Sequence, residues 1–246
     1  MNTSDIVFLS ALIFVAALLY SSVGHGGASG YLAAMALFGL APAVMKPTAL
    51  SLNIFVAAIA TIRFHRAKCF SWSIFFPFAV TSIPLAFLGG ALSLPNPVYR
   101  QIVGIVLLFA AFQLFRYTQR ATKITAKAIP FFRAVLLGAG IGLLSGLTGV
   151  GGGIFLSPLL LFTGWADARQ TAGVSAAFIL VNSTAGILGH LSGVKSLPDA
   201  IPFLACAAVL GGIIGSGLGS RQFSNMTIRR LLALVLVVAG LKFMFA

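Results

Sequence analysis

Two glycine clusters carry the residues of this chain that are best suited to bind a ligand. The stretch Ser21–Tyr31 reads SSVGHGGASGY, and Ser145–Phe155 reads SGLTGVGGGIF. Glycine lets the backbone adopt left-handed conformations and lets a ligand approach main-chain N–H groups closely. A helix that starts at such a turn adds N–H groups without helical partners and the positive end of its dipole. This combination favours the binding of an anion.

Polar side chains within and after these clusters could complete the site. His25 could donate a hydrogen bond to an anion, or it could titrate and couple proton movement to transport. Asn53 lies in an apolar segment, where an isolated asparagine also serves to hold helices together. The predicted substrate-binding residues are Ser22, Gly24, His25, Gly26, Gly27, Ser29 and Asn53 in the first half, and Thr148, Gly149, Gly151, Gly152, Gly153, Ser175, Asn182 and Ser183 in the second.

The sequence does not place carboxylates or histidines in the patterns typical of catalytic or metal sites. The three carboxylates, Asp5, Asp167 and Asp199, all lie outside the middle of the apolar segments, which argues against a path for cations or metals. A membrane-embedded enzyme would need a nucleophile–base pair or a metal cluster, and the three histidines are far apart in the sequence. We therefore expect no catalytic residue, no cofactor, no metal ligand and no enzymatic activity.

The composition places the chain in a membrane. Of the 246 residues, 59% are hydrophobic and only 8% are charged, whereas a soluble domain carries about 25% charged residues. The apolar runs are continuous rather than alternating, which excludes a β-barrel. The net charge of +13 comes from cations between apolar segments, the pattern of cytoplasmic loops, so we expect a lipid bilayer as partner and no nucleic acid.

The sequence therefore predicts an all-α polytopic membrane protein with about 8–10 membrane segments. The apolar runs are Ile6–Tyr20, Leu32–Ala43, Thr48–Phe64, Trp72–Leu92, Val98–Tyr117, Phe131–Leu147, Ile154–Phe162, Thr171–Leu191, Pro198–Leu218 and Ile228–Phe245. The short runs that follow the glycine clusters span only about 14–18 Å as helices, roughly half the hydrocarbon thickness. Glycines can simply allow close helix packing, but two equivalent clusters before two half-length helices favour a ligand site.

The chain also repeats itself. A shift of 125 residues places Gly24–Gly27 on Gly149–Gly152, and a basic loop lies between the halves. This predicts a first transmembrane repeat over residues 1–118, a basic cytoplasmic linker over 119–130 and a second repeat over 131–246. Cations cluster at 63–68, 116–133 and 221–230, and cytoplasmic placement of all three requires an odd number of crossings per half. Each half then makes five crossings, or three plus a re-entrant hairpin, and the two repeats are inverted.

Several motifs resemble those of the sulfite exporter TauE/SafE family of membrane transporters. They are GHGGASGYL and GVGGGIFLSPLL at the two turns, AGVSAAFILVNSTAGILGHLSG downstream and the terminal pattern RRLLALVLVVAGLKFMF. The resemblance covers essentially the whole chain. It implies a multi-pass protein of the cell (inner or plasma) membrane that carries sulfur-containing oxyanions such as sulfite, organosulfonates or related small carboxylates. The first half departs from the family pattern at His25 and Ala28, and no proline follows its turn.

We therefore expect a secondary transporter, an exporter of small anions, that works by alternating access around a glycine-rich site near the membrane midplane. Two alternatives stay open: a passive anion channel, and a membrane assembly factor that transports nothing.

Overall fold

The computed structural model describes residues 2–116, 129–190, 200–219 and 226–245. Within these ranges the chain is all-helical, with no strand. The helices are α1 (Thr3–Ser21), α2 (Ala28–Leu37), α3 (Pro42–Arg66), α4 (Trp72–Ala91), α5 (Asn96–Arg116), α6 (Phe131–Thr148), α7 (Gly153–Thr163), α8 (Ala168–His190), α9 (Ile201–Gly219) and α10 (Met226–Phe245). The predicted all-α class is confirmed, while most of the predicted linker 119–130 lies outside the described residues.

Six described helices, α1, α3, α4, α6, α8 and α9, are long and apolar enough to cross a membrane. Large apolar side chains cover their outer faces, for example Phe8, Trp72, Phe76, Phe132 and Phe203. A surface of this kind is stable in lipid and would aggregate in water. The chain is therefore a multi-pass membrane protein.

The predicted segments all overlap helices, and the largest error lies between α2 and α3. The sequence interpretation placed a break between Ala43 and Thr48, but α3 begins at Pro42 and continues through this region. Proline is favoured in the first turn of a helix, where its missing N–H costs no hydrogen bond. The connection lies instead at residues 38–41, where Gly39 has a left-handed φ of +71°.

The short helices have the predicted half length. Helix α2 has 10 residues and α7 has 11, so each spans only about 15–17 Å. Helix α2 folds back on α1, since Gly30 packs against Ala16 and Tyr20. The first turn and its short helix thus form a hairpin with α1.

Two parallel helix pairs join the halves of the chain. Small residues spaced four apart on α6 pack against α4, and a similar row on α9 packs against α1; such rows allow close packing in lipid. The contacts on α6 pair Gly138 with Phe78, Gly142 with Ser82 and Gly146 with Ala86. Those on α9 pair Gly211 with Phe14, Gly215 with Leu18 and Gly219 with Ser22. The first helix of each half therefore packs on the fourth helix of the other half.

Two further pairs are antiparallel, and each also joins the two halves. Helices α3 and α8 meet through Leu50 with Gly186 and through Asn53 with Ser183. Helices α5 and α10 likewise pair Gly104 with Met244 and Leu108 with Gly240. In both pairs, helices at the same position in the two halves run in opposite directions. Inverted repeats predict this relation.

Candidate functional site

The two glycine turns meet at the middle of α3. A Cβ atom at Gly26 would lie 2.9 Å from Cγ of Asn53, and one at Gly151 would lie 2.7 Å from its Nδ2. Neither position has room for a side chain, so both backbones pack directly on the Asn53 amide. Asn53 is the twelfth of the 25 residues of α3. The structure thus brings the two clusters to one point near the centre of the molecule.

The turns reach this point from opposite ends of the α3–α8 pair. Gly24 packs against the backbone of Ala172, near the start of α8. Gly149 packs against Lys46, near the start of α3, where a Cβ atom would lie 3.1–3.3 Å from Lys46 atoms. Because α3 and α8 are antiparallel, their starts lie at opposite ends of the pair. One turn therefore comes from each end.

Asn53 connects three elements. Its Nδ2 donates to the carbonyl of Val150 at 3.2 Å and to Oγ of Ser183 at 3.4 Å. Its Oδ1 faces Gly26 and has no hydrogen-bond partner among the described residues. Asn53 and Ser183 are fully buried. Asn53 therefore joins α3 to the second turn and α8, and retains one buried acceptor atom.

The short helices begin at this centre without side-chain caps. Gly27 precedes α2 with φ +104°, and Gly152 precedes α7 with φ +80°. Only glycine adopts such angles at little cost, and it offers no side chain to bond the first N–H groups of the helix. The two starts therefore present main-chain donors and the positive ends of two helix dipoles.

A small cavity of about 10 Å³ separates the turns. Its lining is Tyr20, His25, Gly26, Gly27, Ala28, Ser29, Val150, Ile154 and Ile179. The His25 ring stands edge-on to the Tyr20 ring, with centroids 6.2 Å apart. A cavity of this size holds about one water molecule. The turns are therefore closed on each other in this conformation.

The predicted site residues separate into three groups. Those at or next to the centre are His25, Gly26, Gly27, Ser29, Asn53, Gly151, Gly152, Gly153 and Ser183. Gly24 and Gly149 lie at the outer ends of the turns.

Four polar residues of the predicted set bond elsewhere. The hydroxyls of Ser22 and Thr148 donate to carbonyls of their own helices, at Leu19 and Leu144. Ser175 pairs with Ser157 at 2.7 Å, and Nδ2 of Asn182 donates to the Phe178 carbonyl at 2.8 Å.

The described carboxylates lie away from this centre. Asp5 accepts from the backbone N–H of Asn2 at 3.1 Å, at the start of α1. Asp167 accepts from the backbone N–H of Gln170 at 2.8 Å, at the start of α8. Asp199 lies outside the described residues. Within the described ranges, no three His, Cys, Asp or Glu side chains are grouped as metal ligands would be. The dipoles of α2 and α7 thus have no described acidic neighbour at the turns.

Sequence reasoning missed Lys46 and Tyr31. Lys46 is buried, and its Nζ donates to the carbonyls of Gly89, Gly90 and Leu92 at 3.0–3.3 Å. Its partners are carbonyls at the end of α4, more than forty residues later in the chain, so no local sequence pattern identifies it. Tyr31 holds the first turn in place by donating to the carbonyl of Gly26 at 2.7 Å.

Comparisons with known proteins give matches over nearly the whole chain. A family model described as sulfite exporter TauE/SafE matches residues 9–243. A probable membrane transporter protein of Sinorhizobium fredii is 41% identical over 245 residues, covering 98% of this chain and 99% of the relative. Probable membrane transporter proteins of Methanocaldococcus jannaschii and Bacillus subtilis are 26% and 27% identical, covering 93% and 94% of this chain and 91% and 96% of their own lengths.

No solved structure matches the chain significantly. The family match spans nearly the whole chain, from within α1 to within α10. The relatives are full-length matches that carry the name of membrane transporters. The protein is a membrane transporter, and the chain belongs to the sulfite exporter TauE/SafE family.

Proposed function

We propose that this chain is a secondary transporter that exports a small anion, namely sulfite or another sulfur-containing oxyanion or organosulfonate. The observation that carries the proposal is the convergence of both glycine turns on Asn53, where two uncapped helices begin. Main-chain donors and two helix dipoles then face one small volume. The side chains that would complete the site are His25, Ser29, Asn53 and Ser183.

The closed cavity supports a carrier over an open pore. A space of about 10 Å³ is too small for sulfite, which has four non-hydrogen atoms. Binding therefore requires the two turns to separate. Since the turns come from opposite ends of the α3–α8 pair, separation toward one end or the other would expose the site to alternate sides.

A basic groove supports export as the direction of transport. Arg63 and Arg66, at the end of α3, line an open groove of about 650 Å³ with residues of α9. Arg63 Nη1 donates to the Ile213 carbonyl at 2.6 Å. We expect this end, with its cations, to be cytoplasmic in the inner or plasma membrane. Anions would collect there, and their export gains about 2.3 kcal/mol per charge per 100 mV of membrane potential.

Counterflow in proteoliposomes tests the proposal. The purified protein is reconstituted and loaded in turn with sulfite, sulfate, thiosulfate or acetate, and uptake of the labelled anion is followed with and without an imposed voltage. A carrier gives saturable uptake that is stimulated by anion on the trans side. Unsaturating flux without trans-stimulation would instead identify a passive channel. No flux above that of empty liposomes would favour an assembly factor.

A further inference from the structure

Lys46 is a buried cation held by uncharged partners. Its ammonium donates to Gly89 at 3.2 Å, to Gly90 at 3.0 Å and to Leu92 at 3.3 Å, all main-chain carbonyls at the end of α4. His190, at the end of α8, has Nδ1 3.3 Å from the same Gly90 carbonyl. A charged side chain inside a membrane protein is costly and commonly marks an ion or substrate path.

Lys46 lies on the same face of α3 as Asn53. The two are seven residues apart, which is two helical turns or about 10 Å. The second glycine turn runs along this face, because Gly149 packs on Lys46 while the carbonyl of Val150 accepts from Asn53. Lys46 therefore lies at the outer end of the turn whose inner end reaches the proposed anion site.

At the equivalent point, the first turn packs on an uncharged residue. Gly24, which corresponds to Gly149, packs on Ala172 instead of on a lysine. Close packing beside such a turn does not require a lysine, since Ala172 suffices at the corresponding place. Lys46 therefore adds a charge specifically to the end of the α3–α8 pair opposite the Arg63 groove.

We infer that Lys46 neutralises the anion on the part of its path next to the second turn. In the closed conformation the carbonyls of α4 hold the ammonium. When the second turn moves outward, the anion replaces one or more of these carbonyls as hydrogen-bond acceptor. The inference rests on the proposed function, because it assigns a charge-compensating residue to the same anion path.

The chain provides a matched control in Lys242. Its Nζ donates to the carbonyls of Ala36 and Leu37, at 2.9 and 3.1 Å. Both lysines thus bond the carboxyl end of a helix. Lys242, however, lies at the end of α2 that is farthest from Gly27. If both lysines only cap helices, replacing either one should change the KM for sulfite equally.

The test compares Lys46→Gln, Lys46→Arg and Lys242→Gln in sulfite counterflow. Lys46→Gln is expected to raise the KM for sulfite about tenfold or more, because a charge-assisted hydrogen bond to the anion is lost. Lys46→Arg retains the charge and is expected to stay within about threefold of the wild-type KM. Lys242→Gln is expected to keep the wild-type KM, whatever it costs in stability.

A wild-type KM in folded Lys46→Gln would overturn the inference, and so would an equal rise in KM in Lys242→Gln. If Lys46→Gln does not fold, Lys46→Met replaces it with an apolar side chain of similar length. The wild-type protein gives a second readout, since sulfite is expected to slow acetylation of Lys46 but not of Lys242. Equal acetylation of Lys46 with and without sulfite contradicts the proposal. Absence of any anion exchange by the wild-type protein would instead refute the proposed function.

Discussion

Asn53 is the side chain on which the proposed site depends most. From the sequence, an amide in an apolar segment had two readings, a ligand group or a bond between helices. The structure is compatible with both roles. Nδ2 joins α3 to α8 and to the second turn, while Oδ1 faces the first turn. Because both turns contact Asn53, any separation of the turns would break at least one of its contacts.

Replacing this amide tests its role. Asn53→Leu has a similar volume but leaves the buried Val150 carbonyl without its donor, so we expect the free energy of unfolding to fall by about 1–3 kcal/mol. We also expect the stabilisation by sulfite, measured as a rise in Tm in detergent, to disappear.

A buried hydrogen bond within α9 provides the control. The hydroxyl of Ser216 donates to the Gly212 carbonyl within α9 at 2.6 Å. Ser216→Ala is expected to lower Tm slightly and to keep the rise in Tm on adding sulfite. A normal sulfite response in Asn53→Leu would mean that the amide only holds the helices together.

At the scale of elements, sequence reasoning predicted the two turns and the short helices because their signal is local. Glycine clusters followed by nine to twelve apolar residues permit few other structures. The start of α3 was not predicted, because Lys46 in a chain of this composition indicates a loop. Its burial depends on carbonyls of α4, more than forty residues later. Such long-range partners leave no mark in a local pattern.

Two glycine substitutions distinguish the effect of the close approach of the second turn to α3 from the effect of a left-handed backbone. Gly151 has φ +82°, and a Cβ atom there would lie 2.7 Å from Asn53 Nδ2 and 2.9 Å from Ser183 Oγ. Gly151→Ala therefore must displace both side chains, and we expect it to abolish the rise in Tm caused by sulfite. The bulkier Gly151→Val and Gly26→Val are expected to act in the same way while the protein still inserts.

Gly39 provides the control substitution for Gly151. It has φ +71°, but a Cβ atom there would meet nothing within 4 Å. Gly39→Ala thus carries a similar backbone cost, about 1–2 kcal/mol, without a steric contact. We expect it to lower Tm and to retain the sulfite response. If Gly39→Ala and Gly151→Ala lose the response equally, strain alone explains the effect and the approach to Asn53 does not.

At the scale of the molecule, the halves are interlocked rather than side by side. Helix α9 packs on α1 and α6 packs on α4, so helices of the first half bury the glycine rows of the second half. The glycine spacing predicts a repeat, but it does not predict this exchange of partners, since the exchange depends on which helices meet in space. The antiparallel α3–α8 and α5–α10 pairs further suggest that the two halves enter the membrane from opposite sides.

Inversion makes a prediction about two equivalent connections. Gly39, between α2 and α3, and Gly164, between α7 and α8, are 125 residues apart, and both have a left-handed φ, of +71° and +70°. In inverted repeats these corresponding turns lie on opposite sides of the membrane. We expect Gly164→Cys to lie on the cytoplasmic side with the cations of residues 63–68, and Gly39→Cys to lie on the other side.

Labelling with a membrane-impermeant maleimide distinguishes the two sides. Each cysteine is introduced into protein in which Cys69 and Cys206 have been replaced by alanine, so that the introduced cysteine is the only thiol. In intact cells we expect Gly39→Cys to react and Gly164→Cys to react only after permeabilisation; inside-out vesicles should reverse this order. Labelling of both from one side would show that the halves are parallel. Access to the Asn53 site from two sides would then need a different explanation, because both turns would open toward the same face.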